Sequence, residues 1–256
     1  PDKWRSYEGL VIKPDTYLKN IERAERFEHK KNLARLGKKV DKSRWYMTPQ
    51  TVNAYCNLNG NEVVFPAAIL QPPFFDPEGD DAMNYGCMGA VIGHELTHNF
   101  DDQGSKFDEK GNYKKWWTEK DEKQFKRRAQ ILVRQYNKFK VDELFVNGKL
   151  TLGENIADLG GLEIALDAFK LHMQKKPQTV VNGFTPIQRY FLGLVLFEAE
   201  HSRKELAHMR VITDPHSPSK YRVNGPFPNM DEFYEAWDVK PGDNLYRAPK
   251  DRAKIW

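Results

Sequence analysis

Cysteine is scarce in this 256-residue chain: there are two, Cys56 and Cys87, and neither belongs to a Cys-x-x-Cys. That excludes a zinc knuckle, a thioredoxin-like dithiol and a disulfide-built scaffold. The spacing does not decide whether the two bridge, and both lie among apolar residues, as buried thiols do. Long apolar runs are missing too. None approaches the roughly 18 residues needed to cross a bilayer, so no transmembrane segment is expected. The opening PDKWRSYEGL has no basic n-region and no apolar h-region, so no signal peptide is expected in it. It also opens without Met, as a processed or truncated piece would. An excess of one charge is absent as well: 40 basic and 36 acidic residues are mixed along the chain, a net +4. That reads as a solvated charged surface. No compact Lys/Arg block with interleaved aromatics offers a groove for nucleic acid, so no such partner is expected.

What is present is the composition of a folded globular chain, 39% hydrophobic and 30% charged, long enough for a real core. Pro14 to Leu36 reads as a charged surface helix with Leu18, Ile21, Ala24 and Phe27 on one side and a Gly37 stop. Asn59-Gly60 separates two strand-like runs, a hairpin signal, and Val52, Ala54 and Cys56 alternate with polar neighbours as on a half-buried strand. Asp81 to about Phe100 is apolar with interspersed glycines, the mark of a buried, closely packed helix. Further helices are expected after Thr118, after Gly153, and from the Thr185-Pro186 cap to about Ala207, with a polar linker over 174–183. From Asp214 the chain reads as mostly irregular with one short helix after Asn229. The expected architecture is mainly helical with a small antiparallel sheet near the front, without repeats or a clear domain boundary.

Within the apolar helix lies GAVIGHELTHNFDDQG, with His94, Glu95 and His98 as His-Glu-x-x-His. Residues four apart on a helix face the same way, about 6 Å apart along the axis, so His94 and His98 point two imidazoles at one ion. Glu95 stands about 100° around from His94, where a general base takes a proton from a metal-bound water. By chance the pentad arises in about one chain in a hundred of this size. The bland alternative is two partly exposed helix histidines. Met88, Ala90, Val91, Ile92 and Leu96 argue against it, because His, Glu and His buried in such a helix need something to satisfy them.

A catalytic zinc takes three protein ligands and leaves one position for water. The continuation His-x-x-Gly-x-x-His fails here: Asp101 stands at the glycine position and Gly104 at the histidine position. The remaining option is a glutamate from a second helix. GENIADLGG offers Glu154 and Asp158, four apart on one face among Ile156, Leu159 and Leu162. Glu154 on zinc and Asp158 on the free ring nitrogen of a ligand histidine would satisfy both carboxylates.

These residues resemble the neprilysin and endothelin-converting-enzyme family of zinc metallopeptidases. The likeness is carried, in family order, by VNAY, FPAAILQPPFF, NYG, VIGHELTHNFDDQG, the Trp116-Trp117 pair, TLGENIADLGG and DPHSPSKYRVNGPFPN, and by the final Trp256. The resemblance implies an α+β, mainly helical, thermolysin-like (gluzincin) catalytic domain with a small antiparallel sheet at the active-site edge. It implies one zinc ion on His94, His98 and Glu154, with Glu95 as the catalytic base. Asp158 matches the aspartate that supports a zinc histidine, and His216 the histidine that steadies the oxyanion. Arg222 matches the arginine that holds a substrate carbonyl, and Asn53 and Ala54 the segment that grips the substrate backbone. The expected activity is that of a zinc-dependent endopeptidase, a metalloprotease acting on small peptides through a zinc-bound water.

The departures carry expectations as well. Cys56 and Cys87 do not fall on the bridging positions of animal members, and the Ala253–Trp256 ending has no cysteine, as in a bacterial member. Residues 1–256 are expected to be a single zinc-peptidase region, with the N-terminal lid lobe of the family absent and supplied, if at all, as a separate segment. Family resemblance implies an extracytoplasmic setting: periplasmic, cell-surface or secreted. Phe197-Glu198 falls near the expected apolar wall of a substrate pocket, where a glutamate is unusual. The competing classes are a zinc-binding but inactive fragment, since the lid lobe is absent, and a protein-interaction scaffold, against which the intact Glu95 argues.

Overall fold

The structure, a computed structural model, describes residues 6–255, so the final Trp256 lies outside the described residues. The chain divides into two compact units, Pro1–Tyr46 and Met47–Trp256. The first contains α1 (Tyr17–Leu33), capped where Thr16 accepts from the Lys19 amide. None of its side chains is fully buried, and Leu18 and Ile21 are exposed, so its apolar side is only lightly covered. Gly37 follows in the left-handed region at φ 73°, as a helix stop requires.

The second unit opens with a hairpin of β1 (Tyr55–Asn57) and β2 (Glu62–Val64), antiparallel with Tyr55 opposite Val64 and Asn57 opposite Glu62. Asn59-Gly60 lies in a four-residue connection, and the positive φ falls on Asn61. The expected alternation begins late: Ala54 is buried, but Val52 precedes the strand and is exposed. A second two-stranded ribbon joins β3 (Lys140–Val141) to β4 (Leu144–Phe145).

The expected 81–100 helix forms in pieces that run on from one another. They are α2 (Asp81–Asn84), a π turn over Tyr85–Gly89, α3 (Ala90–Thr97) and a closing 3-10 turn His98–Phe100. Single π turns inside helices are a recurrent feature of functional segments. After α4 (Glu119–Tyr136, capped by Thr118) comes α5, which spans Leu152–Lys175 and so runs into the expected linker. Its middle is enclosed: Ile156, Leu159, Leu162, Leu166 and Phe169 are at most 1% exposed. Each such side chain contributes about 1.5–3 kcal/mol of burial.

α3 and α5 cross at glycine. A Cβ on Gly161 would lie 2.5 Å from the His94 amide nitrogen and 2.6 Å from the Ala90 oxygen. One on Gly93 would lie 2.6 Å from the Gly161 oxygen. Backbone therefore rests on backbone, which only glycine at these two positions permits. The crossing brings the pentad against the start of α5.

The expected long helix from Pro186 is two helices, α6 (Pro186–Phe197) and α7 (Lys204–Thr213), with a break at the charged segment from Glu198 to Arg203. α6 starts as expected, with the Thr185 and Gln188 side chains capping each other's backbone. The C-terminal stretch also holds an unexpected helix, α8 (Ser219–Asn224), before α9 (Asp231–Trp237). A buried network fixes it: Gln135 and Asn229 amides both donate to the Gly225 carbonyl, at 2.8 Å each.

Candidate metal centre and cleft

Beneath the hairpin lies a cleft of about 430 Å³. It is lined by segment 53–56 and Leu58, by α3, by the start of α5, by the end of α6, and by His216 and Arg222. All nine residues singled out above — His94, Glu95, His98, Glu154, Asp158, His216, Arg222, Asn53 and Ala54 — line this one cleft.

At its floor three ligand atoms converge. His94 Nε2 and His98 Nε2 are 3.0 Å apart, and Glu154 Oε2 lies 3.2 Å from the first and 3.6 Å from the second. Tetrahedral zinc with bonds of 2.0–2.1 Å holds its ligand atoms about 3.3 Å apart. The far side of each ring is occupied: His94 Nδ1 meets Asp158 Oδ1 and His98 Nδ1 meets Asp101 Oδ2, each at 2.8 Å. A carboxylate at Nδ1 selects the tautomer with its proton there, so both Nε2 lone pairs face the same point. Glu154 Oε2 is buried and accepts no hydrogen bond. Two lone pairs and an orphaned carboxylate oxygen facing one another call for a cation between them, so the residues present fit zinc.

Electrostatics agree with a site short of positive charge. Burial pulls the His94 imidazole down, but the facing carboxylates of Asp158 and Glu154 outweigh it and raise its pKa to about 9. Burial pushes the Glu154 carboxyl up, while the imidazoles of His94, His98 and His216 overcome that and leave it lowered. Asp158 is held far below the usual carboxylate range, against its burial, by Arg222 and His94. Glu95 is the exception: it is 7% exposed and burial raises its pKa.

The other residues surround this floor. Arg222 grips Asp158 with two bonds, Nε to Oδ2 at 2.9 Å and Nη2 to Oδ1 at 2.6 Å. His216 is exposed, with Nε2 3.3 Å from Glu154 Oε2 and Nδ1 2.8 Å from Asp214 Oδ1. Asn53 and Ala54 precede β1, and Asn53 Oδ1 accepts from the Ala54 amide at 2.8 Å. The helix burial expected from apolar composition is partial: Ile92 and Leu96 are 41% and 43% exposed, although His94 and Glu95 on the same helix are buried. Both cysteines are free thiols; Cys87 is buried, and Cys56 is half-buried and lines the cleft.

Two features escaped sequence reasoning. Asp101 stands where the third-histidine continuation would have a glycine, and the sequence gives it no role. It lies three residues after His98, and the 3-10 turn brings its carboxylate to the ring. Asn155, fully buried beside Glu154, accepts a 2.7 Å bond from Ser217 and so moors the loop that carries His216.

Comparison with known proteins places these residues in context. Residues 53–253 match the model of Peptidase family M13. The chain is 42% identical over 255 residues to an endothelin-converting enzyme homolog of Locusta migratoria, covering 98% of this chain and 35% of that protein. It is 40% identical to neprilysin-3 of Drosophila melanogaster, covering 98% of this chain and 32% of that one. Among solved structures, the Mycobacterium tuberculosis zinc metalloprotease Zmp1 in complex with an inhibitor superposes with a TM-score of 0.95. It is 48% identical and covers all of this chain and 40% of its own. PepO of Lactobacillus rhamnosis gives a TM-score of 0.88 at 33% identity, again over all of this chain and 40% of its own. The chain thus spans about a third of the length of the curated relatives it matches.

Proposed function

We propose, from the premise that this chain belongs to Peptidase family M13, that its cleft hydrolyses peptide bonds in small peptides with one zinc ion held by His94, His98 and Glu154. The observation that carries the reading is the floor of the cleft, where two imidazole lone pairs and a buried carboxylate oxygen without a hydrogen bond converge at zinc-ligand spacing. When bound there, zinc supplies a Lewis acid that polarises the scissile carbonyl and acidifies water.

The chain's own groups perform the rest. Glu95, whose burial raises its proton affinity, takes a proton from the attacking water and passes it to the leaving nitrogen. Asp158 and Asp101 fix the ring orientation of His94 and His98. Asp214 holds His216 by Nδ1, so that its other nitrogen, when protonated, donates to the oxygen that gains charge in the transition state. Arg222 is clamped by Asp158 through Nε and Nη2, which leaves the Nη1 hydrogens for a substrate carbonyl. Among the described residues β1 pairs only with β2, so its other edge and the preceding Asn53 and Ala54 receive the peptide as an added strand.

The setting in this reading is extracytoplasmic, with the family's lid lobe closing the cleft from a segment outside this chain. No described helix is long and apolar enough to cross a membrane. The test is cleavage of a mixed peptide library by the zinc-loaded protein. We expect cleavage that a chelator abolishes and added zinc restores. Stoichiometric zinc with no cleavage of any peptide would overturn the peptidase reading in favour of an inactive zinc scaffold.

A further inference from the structure

We infer that Glu198 is a specificity-determining carboxylate, selecting peptides that place an arginine or lysine side chain against the end of α6. The inference rests on the peptidase reading above and names a substrate class for it. Val91 of α3 and Leu194 and Phe197 of α6 give the cleft apolar surface, and Glu198 and Arg222 line the same cleft. Phe197 is itself fixed edge-on against Phe74, ring centres 5.3 Å apart. A glutamate among these residues calls for a reason.

Local structure offers none. Glu198 is the C-cap of α6, where the carbonyl end of the helix disfavours negative charge. Its side chain is only 6% exposed. The cation that faces it, Arg222, is already committed: it makes both of its short bonds to Asp158, and Glu198 Oε1 lies 3.5 Å from the same Nε. That is too long for a full hydrogen bond. Ser219 provides a neutral donor to Glu198, but its hydroxyl also faces Glu200 at 2.9 Å. One guanidinium is shared between two buried carboxylates, and burial raises the Glu198 pKa against the pull of Arg222, so this carboxyl is short of counter-charge in a cleft that Val91, Leu194 and Phe197 also line. A lysine or arginine side chain matches that surface along its whole length. Its aliphatic stem lies on Val91, Leu194 and Phe197 while its head pairs with Glu198. An acidic side chain is rejected there, and a leucine leaves the carboxylate buried and unrelieved.

The alternative is that Glu198 merely steadies Arg222, in which case its removal weakens all peptides equally. Capped decapeptides of alanine and glycine, with a single central arginine or leucine, separate the two. Calorimetric binding to the zinc-loaded Glu95→Gln protein should favour the arginine peptide at least tenfold, and Glu198→Gln on that background should cut the preference to twofold or less. Glu198→Leu, whose fold is checked by its thermal melt, should turn the preference towards leucine. With Glu95 intact, the ratio of kcat/KM values should move in the same direction. An arginine-to-leucine ratio that is the same with and without Glu198, or a parent protein that prefers leucine, overturns the inference. If the binding difference holds but the Glu95-intact protein cleaves neither peptide, the peptidase reading fails and the selectivity stands. If both peptides are cleaved at equal rates and bound equally, the selectivity fails and the peptidase reading stands.

Discussion

The cleft has two unlike walls. One is helical: His94 and Glu95 on α3 and Glu154 and Asp158 on α5 are largely or wholly buried, on helices whose backbones touch at Gly93 and Gly161. The other is loop and strand edge: Asn53 and His216 are exposed, and the loop of His216 is moored by single bonds such as Ser217 to Asn155. A metal centre tolerates about half an ångström of misplacement, so the proposed ligands belong on elements that cannot slide. A wall proposed to receive peptides would meet many sequences, and loops on a rigid scaffold serve that better.

Breaking the helical wall should have the largest effect. Gly161→Ala puts a methyl 2.5 Å from the His94 amide nitrogen, so the helices must part. We expect a loss of about 3 kcal/mol or more in stability, with weakened zinc binding, read by chemical unfolding and metal titration. Wild-type stability in this variant would mean that the crossing is not rigid.

Other carboxylates on α5 make an internal control. Glu154 and Asp158 are lowered by their partners, whereas Glu163 is raised to about 7 by burial and by Glu232, Asp167 and Asp231, against Lys254. A carboxyl that holds its proton more tightly when folded loses stability as pH rises from the unfolded value, 4.5, to about 7. Above that range the loss amounts to about 3 kcal/mol. Glu163→Gln should therefore be more stable than wild type by up to about that amount at pH 8 and equal to it at pH 4. Parallel stability curves for the two proteins would show that Glu163 titrates normally.

A smaller change tests the orienting carboxylates. Asp101→Ala keeps all three converging ligand atoms but frees the His98 ring, and zinc affinity should fall about 10–100-fold. An unchanged affinity would remove Asp101 from the site. The smallest effect belongs to the loop wall. Asn53→Ala should raise KM several-fold, a loss of about 1 kcal/mol, with kcat little changed; a loss confined to kcat would move Asn53 into the chemistry.

The same contrast governs what could be read from the sequence. The helical wall was legible because its logic is local: His94 with His98 and Glu154 with Asp158 share faces by i, i+4 spacing alone, and the glycines interspersed over 81–100 announce close packing. Thr118 and Thr185-Pro186 likewise mark their helix starts by cap chemistry. The loop wall depends on contacts distant in the chain. α8, which carries Arg222, is held by Gln135 and Asn229, 94 residues apart. No local pattern predicts it, nor the break after Phe197 that leaves Glu198 beside Arg222. The exposure of Ile92 and Leu96 shows the converse limit, since apolar composition did not say which side of α3 is covered. His216, Arg222, Asn53 and Ala54 entered through family resemblance, not through spacing.

In the proposed reaction Glu95 is the base beside a zinc held without it. Metal content and peptide cleavage measured together on Glu95→Gln address both halves at once. One zinc per chain in variant and wild type, with cleavage reduced about 10²–10⁴-fold or more in the variant, is the expected outcome; full cleavage by the zinc-loaded variant would overturn it.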